Sequence, residues 1–331
     1  MHKGRLMLKW LVSLDKFVPA LLLAIFVASL FPEPAEYRGL FSLHTVGDIG
    51  VTLIFLFYGL KLNLASLRQD LSNWHLHLLV QTATFVIFPL LVWPFYDLFK
   101  DGEHGLLWFG GFFLAALPST VSSSVVMVSI AKGNIPGAIF NATVSSLAGI
   151  VITPLWMSMV INTGQADASE FGPIIVKLLL QVLLPVIVGV ALNKYLGRLA
   201  QKNSAFLRLF DQAIILLIVY LSFAESFIQK LFAGIGVGDL AMIIVLTVVL
   251  FFLVFAIIFF ISKGLHFNRE DTITAVFSGS KKSLVHGTVM AGIIFQGISG
   301  LGVILLPLMI YHALQLVFCG IIARRFALGV E

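Results

Sequence analysis

"ITAVFSGSKKSLV", residues Ile273–Val285, interrupts an apolar segment of about 271–296 with Gly279, three serines and two adjacent lysines. A second stretch, "LAALPSTVSSSVV" (Leu114–Val126), does the same to a segment of about 105–131, with Pro118 followed by Ser119, Thr120, Ser122, Ser123 and Ser124. Laid over one another, the two stretches have their polar breaks at the same depth. The pair decides the architecture, because non-helical backbone at membrane depth is tolerated only where protein or a wet cavity surrounds it.

The rest of the chain supplies the membrane. Of 331 residues, 59% are hydrophobic and only 11% charged, against roughly 25% charged in soluble domains; the mean hydropathy is +1.03. The composition is that of a multi-pass membrane protein. A single cysteine, Cys319, allows no internal disulfide and reads as a small core residue. The net charge of +5 comes from loop residues rather than an aromatic-laced basic face, so no nucleic-acid partner is expected. The basic N-terminus (Lys3, Arg5, Lys9, Lys16) precedes an apolar run, Phe17–Phe31, that ends in "FPEPAEY" without a small-x-small cleavage pattern. It reads as a first transmembrane helix, not a signal peptide.

Apolar runs of roughly 20 residues mark ten segments, at about 13–31, 44–61, 75–97, 105–131, 135–161, 172–194, 207–228, 238–262, 271–296 and 300–323. Of the 21 Lys and Arg residues, Lys281 and Lys282 lie inside a segment. Arg38, Lys100, Lys177 and Lys230 fall on the outer side, and the other 15 on the side of the N-terminus. That asymmetry places both termini in the cytoplasm. The interrupted segments are the fourth of the first five and the fourth of the second five. A five-helix unit is odd, so its second copy enters from the opposite face. The expectation is a single all-α polytopic domain over 1–331, built as two inverted five-helix repeats of about 13–161 and 172–323 with discontinuous helices 4 and 9.

A broken helix exposes free carbonyls at the end of its first half and free N–H groups at the start of its second. Two facing breaks can therefore hold a cation and an anion, with hydroxyls filling in; the competing reading of the serines is close helix packing. A lysine at the bilayer centre costs roughly 2.5–3.5 kcal/mol and adjacent helical residues point about 100° apart, so at least one of Lys281 and Lys282 faces inward, to a cavity and an anionic partner. The competing reading has them snorkel to the surface. The substrate-facing candidates are Ser119, Thr120, Ser122, Ser280, Lys282, Ser283 and His286; Tyr311, His312 and Gln315 either line the cavity or are buried in hydrogen bonds. Enzyme readings fail. Ser278 and Lys281 spell S-x-x-K without an S-D-N or K-T-G companion, no Walker motif or H-E-x-x-H occurs, and His75 and His77 face apart. No zinc site is supported.

The chain resembles the bile acid:sodium symporter family, its shorter SBF-like branch in particular. The resemblance rests on "FLFYGLKLNLASLRQDL" (Phe55–Leu71) with "FPLL" (Phe88–Leu91), on "LPSTVSSSVVMVSIAKGN" (Leu117–Asn134) and on "GLHFNREDTITAVFSGSKKSL" (Gly264–Leu284). It implies core and panel domains, helices 4 and 9 crossing near mid-membrane, two sodium ions behind the crossing, and organic anions such as bile acids, steroid sulfates, pantoate or pyruvate as substrates. Ser123 and Ser124 stand where the family has sodium ligands on the fourth helix; Asn141, Ser145 and Ser146 are candidates on the fifth, and Ser278 on the ninth. There the chain departs from the family: Phe277 replaces the shared glutamate and Lys281 a glutamine ligand. A hard cation prefers oxygen ligands, so ordinary sodium coupling is doubtful and proton coupling is open. The resemblance suggests Lys281 as a tethered cation in the place of a sodium ion. The expected function is secondary active transport of a small or amphipathic organic anion by alternating access, in a cell (inner or plasma) membrane. The alternative is a membrane protein of this fold that does not move organic anions and instead regulates cation homeostasis or partner proteins. No cofactor is expected, and the oligomeric state is open.

Overall fold

The computed structural model describes residues 17–37, 39, 41–62, 73–99, 104–161, 176, 179–295 and 299–329. Among them every regular element is helical. In chain order they are α1 (Phe17–Leu30), α2 (Leu43–Lys61), α3 (Trp74–Phe99), α4 (Gly105–Ala116), α5 (Ser122–Ile130), α6 (Ile135–Ile161), α7 (Leu184–Lys202), α8 (Ser204–Ile228), α9 (Val237–Gly264), α10 (Arg269–Gly279), α11 (Leu284–Ile294) and α12 (Leu301–Ala327). Seven helical stretches are long and apolar enough to cross a bilayer, while α1 and α4 are shorter apolar helices. The two segments expected to be interrupted are each a pair of short helices, α4–α5 and α10–α11. The protein is therefore an all-helical, multi-pass membrane protein. Of the basic residues used for orientation, Lys3, Arg5, Lys9, Lys16, Arg38, Arg68, Lys100 and Lys177 lie outside the described residues, as do positions 63–71 of the Phe55–Leu71 motif.

Helix starts follow local chemistry. Ser42 accepts a hydrogen bond from the Thr45 N–H, Asn134 from Gly137, Asn268 from Asp271 and Ser283 from His286, so α2, α6, α10 and α11 each begin with a side-chain oxygen on an otherwise free amide. Pro89 and Pro185 each follow a turn of π-helix, Ala83–Ile87 and Leu179–Leu183. A proline cannot donate to the carbonyl four residues back and its ring crowds that carbonyl, and the wider turn relieves the crowding.

Packing separates the helices into two sets. One contains α1, α2, α7 and α8; the other contains α3–α6 and α9–α12, and α8 bridges them against α11 and α12. The tightest seam in the first set is α2 on α7. A Cβ on Gly59 would overlap the Val186 carbonyl oxygen, and one on Gly189 the Leu56 carbonyl oxygen. In the second set a Cβ on Gly110 would overlap the Ile304 carbonyl, which brings α4 directly against α12. Glycine permits such backbone approach, and in lipid close packing replaces the hydrophobic drive that soluble helices use. Large apolar side chains such as Leu22, Phe26, Val245 and Phe260 project outward, where acyl chains would meet them. Cys319 is buried in the core, as its apolar setting predicts.

Candidate functional site

Pro118 ends α4, and the carbonyls of five consecutive residues at that end find four partners. Leu114 accepts from its own Leu117 N–H at 3.3 Å, and Ala116 from Thr153 Oγ1 at 2.7 Å. Ala115 and Leu117 accept from the Lys282 ammonium at 2.7 and 2.8 Å. The Pro118 carbonyl accepts from the Ser283 N–H at 2.9 Å. The first break is thus completed by the second. Ser119 continues the junction, its hydroxyl donating to the Ser278 carbonyl at 2.5 Å and its N–H to Ser145 Oγ at 2.9 Å.

The third acceptor of Lys282 is the Thr84 carbonyl on α3, at 2.7 Å. Its vacancy is explained by the π-turn. In α-helical register Thr84 would receive the Phe88 N–H, but that group donates to Ala83. In π register it would receive residue 89, which is proline and has no N–H. Both intrahelical partners are lost, and the lysine takes their place. Lys282 Nζ also lies 4.1 Å from the centre of the Phe88 ring, a cation–π contact. Three carbonyls match the three N–H donors of an ammonium. At about 1.5–3 kcal/mol for each charge-assisted hydrogen bond, they offset the several kcal/mol of burying one ion.

Lys281 is equally buried, with no accessible surface, yet makes one hydrogen bond among the described residues, to Ser123 Oγ at 2.8 Å. That hydroxyl lies 2.9 Å from Thr120 Oγ1, which in turn meets Ser124 Oγ at 2.8 Å. Sequence reading turned Lys282 toward the substrate and set Lys281 in a cation's place; in the structure Lys281 meets the hydroxyls and Lys282 the helix-end carbonyls. One bond does not offset the burial of an ion, so the Lys281 end of the site has unspent donor capacity.

Many of the remaining candidates have their polar atoms engaged. Ser280 Oγ turns back to the Val276 carbonyl at 2.6 Å, while the Ser280 carbonyl accepts from Tyr311 at 2.6 Å. Ser283 caps α11 and meets His286 Nδ1 at 3.0 Å. Asn141 holds the Gly137 carbonyl and accepts from Gln81 Nε2. Ser146 is buried beside Tyr58, and the Ser278 hydroxyl is buried without a partner. The Ser122 side chain lies outside the described residues. Phe277, standing where the family has glutamate, is buried against Phe255 and Phe326 and offers no oxygen. Gln315 grips the break directly: it accepts from the Lys282 N–H at 2.9 Å and donates to the Lys282 carbonyl at 2.8 Å and to His312 Nδ1 at 2.9 Å.

Sequence reading missed Thr84, Phe88 and Gln81. For Thr84 the sequence carried no sufficient signal: in α register Pro89 of "FVIFPLL" frees the Phe85 carbonyl, and only the π-turn moves the vacancy to Thr84. A main-chain oxygen otherwise leaves no mark in a sequence.

Two cavities lie along α2 and α8. One of about 220 Å³ is lined by His44, Asp48, Ser222 and Glu225. The other, of about 50 Å³, lies between the two helix sets and is lined by Tyr58, Lys61, Asp211 and His286. Lys61 and Asp211 form an ion pair at 3.2 Å beside it, and His286 packs edge-on against Phe55 and Tyr58.

Comparison with known proteins finds a family and several relatives. Residues 15–328 match the model of the SBF-like CPA transporter family. YfeH of Escherichia coli (strain K12), which carries a provisional name as a symporter, is 36% identical over 320 residues, covering 96% of this chain and 94% of YfeH. Sodium/bile acid cotransporter 7 of Danio rerio is 30% identical over 315 residues, covering 92% and 91%. Sodium/bile acid cotransporter 7-B of Xenopus laevis is 29% identical over 306 residues, covering 91% and 88%.

Proposed function

The chain belongs to the SBF-like CPA transporter family, and from that premise we propose that it is a secondary active transporter of a small or amphipathic organic anion, with Lys281 as the anion-facing charge. The observation that carries this reading is the Lys281 ammonium, fully buried at the meeting of two broken helices with a single hydroxyl partner among the described residues. An anionic oxygen entering beside Ser123 would supply the acceptors it lacks. Thr120, Ser123 and Ser124 provide hydroxyls around the same point.

In this reading the ten apolar segments are two inverted five-helix repeats, and α4–α5 and α10–α11 are corresponding interrupted helices. The set α1, α2, α7 and α8 acts as the panel and the remaining helices as the core. Alternating access is a movement of one against the other. The α2–α11 contact through Phe55, Tyr58 and His286 lies on that boundary. A cavity of about 50 Å³ holds one or two waters, so an organic substrate reaches the junction only when the sets part. The positive-inside balance orients both termini to the cytoplasm of a cell membrane, with Lys61 on that side. Phe277 removes the family carboxylate, which argues against coupling to two sodium ions; a proton gradient or no gradient are the competing drives.

Purified protein in proteoliposomes, offered a panel of organic anions under sodium, proton or no gradient, tests the proposal. Saturable uptake that is lost in Lys281→Met supports it. Absence of saturable flux under all three conditions removes it and leaves the regulatory alternative.

A further inference from the structure

We propose that Lys282 is a built-in monovalent cation: its ammonium fills a carbonyl cage that would otherwise take a free cation, so the junction of the broken helices assembles without one. The proposal does not depend on what the protein carries.

The cage has the features of an ion site. Thr84, Ala115 and Leu117 present main-chain oxygens at 2.7, 2.7 and 2.8 Å from one nitrogen, and the face of Phe88 closes a further side at 4.1 Å. None of the three carbonyls has an alternative donor in its own helix. The π-turn and Pro89 strip Thr84, and Pro118 ends α4 so that the Ser119 N–H that would serve Ala115 goes to Ser145 instead. Left empty, the cage would be three converging buried dipoles with no counter-charge, a costly arrangement. The oxygens come from α3 and from the end of α4, and the charge from the break between α10 and α11. One ammonium therefore joins three separate parts of the fold. Gln315 fixes its backbone on both N–H and carbonyl, which holds the side chain in register with the cage. A free ion there could exchange with solvent; a covalently attached one cannot.

Deleting the side chain beyond Cβ removes three carbons and the ammonium, the atoms of n-propylammonium. In Lys282→Ala we expect the melting temperature of the purified protein to fall by about 10 °C. Propylammonium should restore it saturably, whereas tetramethylammonium at the same ionic strength, having no N–H donors, should not. Lys282→Met should fall by a similar amount and resist restoration, because its own stem fills the space. If Lys282→Ala does not survive purification in ordinary buffer, the reading becomes the yield of monodisperse protein extracted directly into propylammonium or tetramethylammonium. A Lys282→Ala protein as stable as the wild type, one restored equally by both amines, or one that propylammonium fails to restore in melting or in yield, overturns the proposal.

Discussion

The Lys281 ammonium lies 2.8 Å from the Ser123 hydroxyl, a bond between residues 158 positions apart that links the second half of one broken helix to the break in the other. Its neighbour Lys282 sits among three carbonyls. Adjacent lysines of equal burial thus have opposite energetic characters, and replacing them should have opposite effects on stability.

Lys281→Met should leave the fold intact and raise stability by about 1–3 kcal/mol, since an ion with one partner gives way to an apolar side chain of similar length. Anion uptake should fall at least tenfold, in line with loss of a charge-assisted contact of about 1.5–3 kcal/mol. Thermal denaturation and proteoliposome uptake on the same preparation check both halves.

Ser123→Ala removes the one acceptor that Lys281 has among the described residues. Stability should fall by about 1–3 kcal/mol, and the loss should shrink in the Lys281→Met background to what the Thr120 contact contributes. A double-mutant cycle on melting curves measures the coupling.

Gln315→Leu strips partners from both the N–H and the carbonyl of Lys282, which lie in buried backbone. At about 1–3 kcal/mol per unsatisfied group, the expected loss is about 2–6 kcal/mol. Gln315→Glu keeps the acceptor and should lose less. The ranking of Leu below Glu below wild type in melting temperature is the check.

Gly59→Val places a branched side chain where the Val186 carbonyl stands. The α2–α7 seam cannot close around it, and the yield of monodisperse protein should collapse. Gly111→Ala, at a glycine whose added Cβ meets nothing within 4 Å, should behave as wild type. Size-exclusion profiles of the two variants distinguish a packing requirement from a general intolerance of glycine replacement.

Much of the architecture was legible in the chain because the bilayer imposes few solutions. Apolar runs long enough to span it must be helical, as every backbone group has to be satisfied within the segment, and Leu43–Lys61 or Val237–Gly264 could be read directly. The two interruptions were equally legible: Pro118 cannot continue a helix, and Gly279 amid Ser278, Ser280 and two lysines cannot face lipid. Helical elements fall on all ten expected segments.

The roles of the two lysines were not legible, although the inward placement of at least one was. Residues 281–283 are non-helical, so no periodicity tells which ammonium points where. The groups that separate them are the carbonyls of Thr84, Ala115 and Leu117, atoms that every residue carries and no sequence pattern marks. Sequence by itself determined that charge would be buried between two broken helices, because lipid excludes it and the breaks expose dipoles. Only the tertiary structure decided that Lys282 meets the carbonyls and Lys281 the hydroxyls, because that choice depends on a proline-displaced turn of α3 brought against the junction from nearly 200 residues away.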